Sequence, residues 1–317
     1  MPAAVPDSNA PRQELRIGVD VGGTNIDIIG LSKSGVVLGR KRVSTPQGSY
    51  PGTVRAIVEL IHELEQELDM QGSIGVGIPG VVSAQTGRVK NANSTWLIGH
   101  PLDRDLASAL GRPVRLANDA NCFALSEAVD GSGAGADVVF GVILGTGVGG
   151  GLVVGGRIIS GRNQIAGEWG HLSLPWPDPD EYPGEACYCG LRGCIETFLS
   201  GPAFIRSYQA PTGKIPSAAE IVTLAGQGDA RAEAALVKYE DRLAKALALM
   251  LNIIDPDVIV LGGGLSQIER LYENVPAKLV DHAFSDTIRT SILPPKHGDA
   301  SGVRGAAWLW PPGSSDA

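Results

Sequence analysis

The chain reads as an α/β protein of two similarly built halves with a cleft between them, and three features of the sequence predict this. Segments of strand character alternate with segments of helical spacing, the pattern of a sheet layered against helices. A device of strand, glycine-rich turn and strand occurs twice, at "DVGGTN" (20–25) and at "LGTGVGG" (144–150). The length of 317 residues, 43% of them apolar, exceeds an ordinary single domain and supplies a large core.

The elements follow in order. "LRIGVDVGGTNIDIIGLS" alternates apolar and polar residues on either side of a glycine pair, as two strands joined by a tight turn do. Further strand segments are "VVLGRKRVS" and "SIGVGIPGVVS". Between them Val54, Ile57, Val58, Ile61, Leu64 and Leu68 recur at helical spacing, which predicts an amphipathic helix over about residues 52–69. "PVRLAND" is a strand leading into the helix "ANCFALSEAV", and "VVFGVILGTGVGGGLVVGGRIISG" repeats the opening hairpin. Ser217 and Glu220 form a capping-box pattern, and a long helix is expected over about 229–254. "DPDVIVLGGGLS" is a buried strand ending in a third glycine cluster, and "GVRGAAWLW" is the last helix. These segments predict a frayed tail over residues 1–14, an N-terminal domain over 15–117 and a C-terminal domain over 118–301. The last helix, about 302–311, is expected to return to the first domain.

Composition excludes several classes. A net charge of −8 and a pI near 5.2, with no Lys/Arg cluster, oppose a nucleic-acid surface, which must neutralise phosphates. The most apolar stretch, "RLAKALALMLNIIDPDVIVL", is interrupted by Lys245, Asp255, Pro256 and Asp257, so no membrane span is expected. The first residues lack the basic start and apolar run of a secretory signal, and the expected location is the cytoplasm.

In reducing cytosol, crowded cysteines hold metal or do redox chemistry more often than they form disulfides. Three of the four cysteines fall within "GEACYCGLRGCIETF" as C-x-C-x4-C: Cys187, Cys189 and Cys194, with His171 upstream. Three thiolates and an imidazole suit a closed tetrahedral structural zinc site, and Gly190 and Gly193 allow the tight turn that aims the sulfurs together. Cys122 stands apart as a small buried hydrophobe on a helix.

Glycine turns let backbone N–H groups approach phosphate oxygens, so Gly22, Gly23, Thr24 and Asn25, Gly145, Thr146 and Gly147, and Gly262, Gly263 and Gly264 are candidates for holding a polyphosphate. Neither hairpin has the spacing of a Walker loop or a dinucleotide fingerprint. Asp20, just ahead of the first turn, is placed to hold Mg²⁺ through water, or else to bond its own turn. Asp119 ends an apolar strand, where a carboxylate faces the ligand crevice of an open α/β sheet; Asn118 or Asp119 would serve equally as a helix N-cap. A carboxylate there would accept the proton of an alcohol attacking a γ-phosphate. Glu168, His171 and Glu196, close to the cysteine loop, suit a ligand rich in hydroxyls.

Taken together, "DVGGTN", "KNANSTWL", "RLANDANC", "LGTGVGGG", "AGEWGH", "CYCGLRGCIETF" and "VIVLGGG" resemble, in order and spacing, the motifs of the ROK family of bacterial sugar kinases, from Arg16 to Trp310. "KNANSTWL", "LPW" after the histidine and "KHGDASGVRGAAWLW" resemble its fructokinases most closely. The resemblance implies an actin-like, or ribonuclease H-like, two-domain ATPase fold with the active site in the interdomain cleft. It implies Asp119 as catalytic base, Asn93, Asn118, Glu168, His171 and Glu196 as sugar contacts, and His171, Cys187, Cys189 and Cys194 as zinc ligands. ATP with Mg²⁺ would be the donor, D-fructose the acceptor at its 6-hydroxyl, and a homodimer the assembly. Mannose, glucose or an N-acetylhexosamine are the alternative acceptors. The family's first turn often carries lysine where this chain has Asn25. Some relatives are sugar-responsive repressors with a helix-turn-helix ahead of the first turn, for which about fifteen preceding residues are too few.

Overall fold

The computed structural model describes residues 14–213 and 215–311, so the expected tail lies almost wholly outside the described residues. Two five-stranded sheets dominate. The first is made by β1 (Leu15–Val21), β2 (Asn25–Leu31), β3 (Val37–Ser44), β4 (Gly72–Ile78) and, after the short pair β5 (Val81–Val82) and β6 (Val89–Lys90), β7 (Val114–Asn118). Its order is β3-β2-β1-β4-β7, with β1 antiparallel to β2 and parallel to β4. The second contains β8 (Val138–Leu144), β9 (Val148–Val154), β10 (Arg157–Ile158), β11 (Val258–Gly262) and β12 (Ser291–Leu293), ordered β10-β9-β8-β11-β12. There β8 is antiparallel to β9 and parallel to β11. The repeat visible in the glycine turns is thus a repeat of the sheets: an antiparallel hairpin whose first strand continues into parallel neighbours.

The helices are α1 (Tyr50–Leu68), α2 (Leu102–Leu110), α3 (Asp119–Val129), α4 (Glu196–Leu199), α5 (Gly201–Thr212), α6 (Ala218–Gly226), α7 (Ala230–Ile254), α8 (Leu271–Leu279) and α9 (Ser301–Ala307). Ser49 caps α1 by accepting from Gly52 N–H, and Ile57, Leu60, Ile61 and Leu64 bury its inner face against Ile17, Val19 and Ile28. Ser217 and Glu220 close the capping box of α6, and the Asp229 side chain caps the 25-residue α7. Among the described residues no helix is long and apolar enough to cross a membrane.

Two helices connect the sheets. α3 leaves the end of β7 in the first sheet but packs on β8 and β9 of the second, whereas α9, at the end of the chain, packs on β1 and β4 of the first. The approach depends on glycine. A Cβ on Gly18 would lie 2.0 Å from the Val303 carbonyl oxygen, one on Gly75 would lie 1.9 Å from that of Ala306, and one on Gly305 would lie 1.6 Å from that of Cys122. Only hydrogen fits at these three positions, so the backbone of α9 rests directly on the sheet and on α3. Cys122 is fully buried in this contact. Polar bonds reinforce it: Arg304 donates to Asp130 and to the Gly35 carbonyl, and Ser301 Oγ donates to Glu127 Oε1 at 2.7 Å. Glu127 is fully buried, and its other oxygen accepts from the N–H groups of Ser132 and Lys296.

Some local outcomes differ from the sequence reading. The strand expected over 73–83 stops at Ile78, because Pro79 has no N–H to donate and Gly80 takes φ +102 before β5 begins. Helix α2 has no counterpart in that reading; its inner face is only Leu102, Leu106 and Leu110, too few apolar positions to stand out from sequence.

Candidate active site

Strand β7 carries Asn118 and Asp119 to the junction with α3. Asn118 is the N-cap: its Oδ1 accepts from Ala120 N–H at 2.9 Å and Asn121 N–H at 3.4 Å, and its Nδ2 donates to the Gly80 carbonyl at 3.3 Å. Asp119 is therefore the first helical residue rather than the cap. One of its oxygens, Oδ1, accepts from Ala120 N–H at 2.8 Å.

A cavity of about 370 Å³ opens between the sheets at this junction, lined by residues of both. The first half contributes Asp20, Gly22, Gly23, Asn93 and Ser94; Asp119 and Phe123 come from α3, and Ile143, Gly263 and Ser266 from the second half. The first hairpin turn is held from behind, with Thr45 Oγ1 donating to the Gly22 carbonyl and Gln47 Nε2 to that of Gly23, both at 2.8 Å. Asn25 opens β2, and its carbonyl closes the turn by accepting from Gly22 N–H at 2.9 Å. The second and third glycine clusters are neighbours, because β8 and β11 run in parallel and end together, with Gly262 opposite Ile143. Gly263 has φ +79, and a Cβ on it would lie 2.5 Å from the Leu144 carbonyl oxygen. The turn at 145–147 is closed by Gly145 N–H donating to the Gly147 carbonyl at 3.0 Å. It is tied to the sugar-wall candidates by Glu196, whose Oε2 accepts from Val148 N–H at 2.9 Å. Glu168, His171 and Glu196 are not among the residues that line the cavity, and of the three only Glu168 acts on Asp119 through its charge.

Two of the acidic residues lining the cavity, Asp20 and Asp119, hold their protons unusually well. Burial, and then the neighbouring charges of Asp119 and Asp27, push the Asp20 carboxyl up to about 7, with Arg42 opposing. Burial raises Asp119 to about 6, against the bond from Ala120 N–H and with Glu168 adding to the rise. For Asp20 the folded value lies above the ordinary 3.8, so the charge costs nothing at pH 3, a penalty grows as pH rises, and it is complete above about 7. Asp20→Asn is accordingly expected to stabilise the ligand-free protein at pH 8 by about 2–4 kcal/mol and to leave it unchanged near pH 3.5. Denaturant titrations at the two pH values check this. The same substitution is expected to weaken Mg²⁺-dependent nucleotide binding.

The cysteine loop gathers its donors. Isolated bridges pair Ser173 with Cys194 and Ala186 with Arg192, and Gly190 and Gly193 take φ +93 and +68. Cys187 Sγ lies 3.6 Å from His171 Nδ1, Cys189 Sγ lies 3.6 Å from Cys194 Sγ, and all four donor atoms lie within 4.8 Å of one another. Tetrahedral zinc with ordinary bond lengths requires S···N and S···S separations of about 3.6 and 3.8 Å, so the donor set fits. The opposite nitrogen of His171, Nε2, is 3.0 Å from the hydroxyl of Tyr188, which lies in the loop itself. Tyr188 went unnoticed in the sequence, where it is one more residue between two cysteines. Ser94 and Phe123 were also missed: each adjoins or follows a recognised motif, but nothing in spacing separates them from their neighbours.

The sequence of the chain matches the ROK family profile over residues 16–312. It is 43% identical to the N-acetyl-D-glucosamine kinase of Salmonella gallinarum over 296 residues, which span 92% of this chain and 98% of that protein. Its structure is similar to a ROK hexokinase from Thermus thermophilus, with a TM-score of 0.82 at 31% identity over 92% of this chain and 96% of that one. A ROK family glucokinase from Streptomyces griseus, solved in complex with glucose and AMPPNP, gives a TM-score of 0.75 at 29% identity over 92% and 98% of the two chains. The match over nearly the whole length, in sequence and in fold, makes this chain a member of the ROK family, a sugar kinase with an actin-like ATPase fold.

Proposed function

We propose that the protein transfers the γ-phosphoryl group of ATP to the 6-hydroxyl of a hexose, with D-fructose as the acceptor. The observation that carries the transfer step is the placement of the Asp119 carboxylate in a cavity that also presents Gly22 and Gly23 from one sheet and Gly263 from the other. Asp119 accepts the hydroxyl proton as the oxygen attacks phosphorus. A carboxyl raised to about 6 remains ionised at neutral pH yet is a stronger base than an ordinary aspartate. The glycine turns hold the phosphates through backbone N–H groups, and Asn93, Asn118, Glu168, His171 and Glu196 take the sugar hydroxyls. Asp20 would hold the Mg²⁺ that accompanies ATP, which would supply neutralisation of phosphate charge. The zinc ligands fix the loop between His171 and Glu196 and take no part in the transfer.

The choice of fructose rests on where the fructokinase-like segments fall. Asn93 and Ser94 of "KNANSTWL", and Gly298, Asp299 and Gly302 of "KHGDASGVRGAAWLW", line the cavity. A second reading, N-acetyl-D-glucosamine, is favoured by the 43% identity to a kinase of that name. ADP release measured across fructose, N-acetylglucosamine, mannose and glucose decides between them. Fructose is expected to have the highest kcat/KM, by at least roughly tenfold, the scale on which a few changed hydroxyl contacts discriminate. A lead for N-acetylglucosamine overturns the fructose assignment, and turnover with no hexose overturns both.

A further inference from the structure

We infer that Ser94 contacts the substrate during the reaction: its hydroxyl donates a hydrogen bond to the γ-phosphoryl group as it passes from ATP to the sugar. Ser94 is 1% exposed, yet among the described residues its Oγ has no hydrogen-bond partner. Buried hydroxyls are ordinarily paired, so an unpaired one needs an explanation. Local structure offers none. Ser94 stands immediately before a single 3₁₀ turn, Thr95–Leu97, where a serine hydroxyl commonly caps, but its side chain caps nothing. Its carbonyl is used, accepting from Leu97 N–H at 3.0 Å, so the backbone is fixed while the hydroxyl stays free. The turn itself is anchored: Leu97 is fully buried, and Trp96 Nε1 donates to Thr53 Oγ1 of α1 at 3.1 Å.

The direction of the hydroxyl supplies the explanation. Ser94 lines the cavity with Asp20, Gly22, Gly23 and Asp119, and its Oγ lies 4.0 Å from the point where a Cβ on Gly23 would stand. It therefore faces the first glycine turn, on the side where the reading above places the phosphoryl group. A neutral donor suits this position. Asp20, Asp119 and Asp299 already bring three carboxylates to the cavity, and the residue that ends the first turn is the uncharged Asn25. The covalent step leaves Ser94 unchanged. A bond forms between the sugar oxygen and phosphorus, the bond from phosphorus to the bridging oxygen of ADP breaks, and the hydroxyl proton passes to Asp119. Ser94 keeps its own proton and stabilises charge on a non-bridging oxygen, a preorganised donor held by the fold in advance of reaction.

This assignment rests on the phosphoryl-transfer geometry proposed above and not on which hexose is the acceptor. Three measurements on Ser94→Ala test it. With the sugar that the wild type uses best, kcat is expected to fall roughly 10- to 100-fold with the sugar KM within about twofold. In calorimetric titrations without sugar, affinity for AMPPNP is expected to fall several-fold while affinity for ADP, which lacks the γ-phosphoryl group, is unchanged. The ligand-free variant is expected to melt no lower than wild type, because an unpaired buried hydroxyl has been removed. Ser94→Thr, which keeps the hydroxyl, is expected to recover part of the lost kcat. An increase in sugar KM with kcat unchanged would assign Ser94 to the sugar instead and overturn the proposal. So would equal losses for ADP and AMPPNP, or no change in any arm. The titrations need no acceptor, so a wild type that phosphorylates none of the hexoses refutes the acceptor reading while the AMPPNP and ADP comparison still decides Ser94.

Discussion

Asp119→Asn is expected to lower kcat by about 10³-fold or more while leaving the dissociation constant for the sugar within about threefold, since a positioned general base contributes on that scale. The substitution is conservative in every respect except the proton. Asparagine retains an oxygen to accept from Ala120 N–H, as Asp119 Oδ1 does at 2.8 Å, and Asn118 remains the cap of α3. Nor is loss of the fold expected. Burial raises Asp119 to about 6, so its charge is a burden on the folded state at neutral pH and neutralising it relieves that burden. The pH profile gives a second signature. Asp119 must be ionised to take the proton, so wild-type kcat/KM is expected to fall as pH drops below about 6, and the residual activity of the variant is expected to lack that limb. Steady-state kinetics from pH 5 to 9 with parallel sugar titrations check both. Retained turnover, or a sugar affinity lost along with kcat, would remove Asp119 from the role of base.

The second large effect concerns the cysteine loop. Stripping metal with a chelator is expected to lower the melting temperature by roughly 5–10 °C and to raise the sugar KM at least tenfold, both restored by added Zn²⁺. The reason lies in what the loop joins. His171 ends a short 3₁₀ turn whose Trp169 is buried edge-on against Phe140, on β8. Cys194 precedes Glu196, which opens α4 and accepts from Val148 N–H on β9. A metal held by His171, Cys187, Cys189 and Cys194 therefore fixes the spacing between two sugar-wall candidates. Without it the three sulfurs and the imidazole have only weak contacts among themselves. Nucleotide affinity is expected to fall less than sugar affinity, because the glycine turns at Gly22 and Gly263 are held by their own strands and only the 145–147 turn leans on Glu196. Metal analysis alongside thermal melting and ADP titration checks this. A metal-free protein with wild-type melting temperature and sugar KM would show that the loop does not depend on a bound ion.

What was legible in the sequence is what depends on short-range pattern. Period-two alternation around Gly22 and Gly23 marks the first hairpin, because strand side chains alternate between faces, and the order of strand, glycine turn and strand around 145–147 marks the second. The capping pair Ser217 and Glu220 is local chemistry and is found where the spacing places it. The cysteines are legible because metal geometry demands close donors, and they do lie together. Less was legible where distant segments meet. Gly18, Gly75 and Gly305 look like ordinary strand and helix glycines, and only the seating of α9 shows that each is required by a carbonyl oxygen within 2.0 Å of a would-be Cβ. At Asn118 and Asp119 the sequence left two capping assignments open, because both residues suit a helix N-terminus; the hydrogen bonds select Asn118. Ser94 was invisible for a related reason. An unpaired hydroxyl is a property of its surroundings, and a sequence records none of them.

The central proposition is that sugar, phosphoryl group and base meet in the cavity between the two sheets. The most direct test is a crystal structure of the protein with fructose, Mg²⁺ and AMPPNP. The expected result places the sugar 6-hydroxyl within about 2.6–3.2 Å of an Asp119 carboxylate oxygen, with the γ-phosphoryl group between the Gly22–Gly23 turn and that hydroxyl. A sugar bound outside that cavity, or a triphosphate that does not touch the first glycine turn, would contradict it.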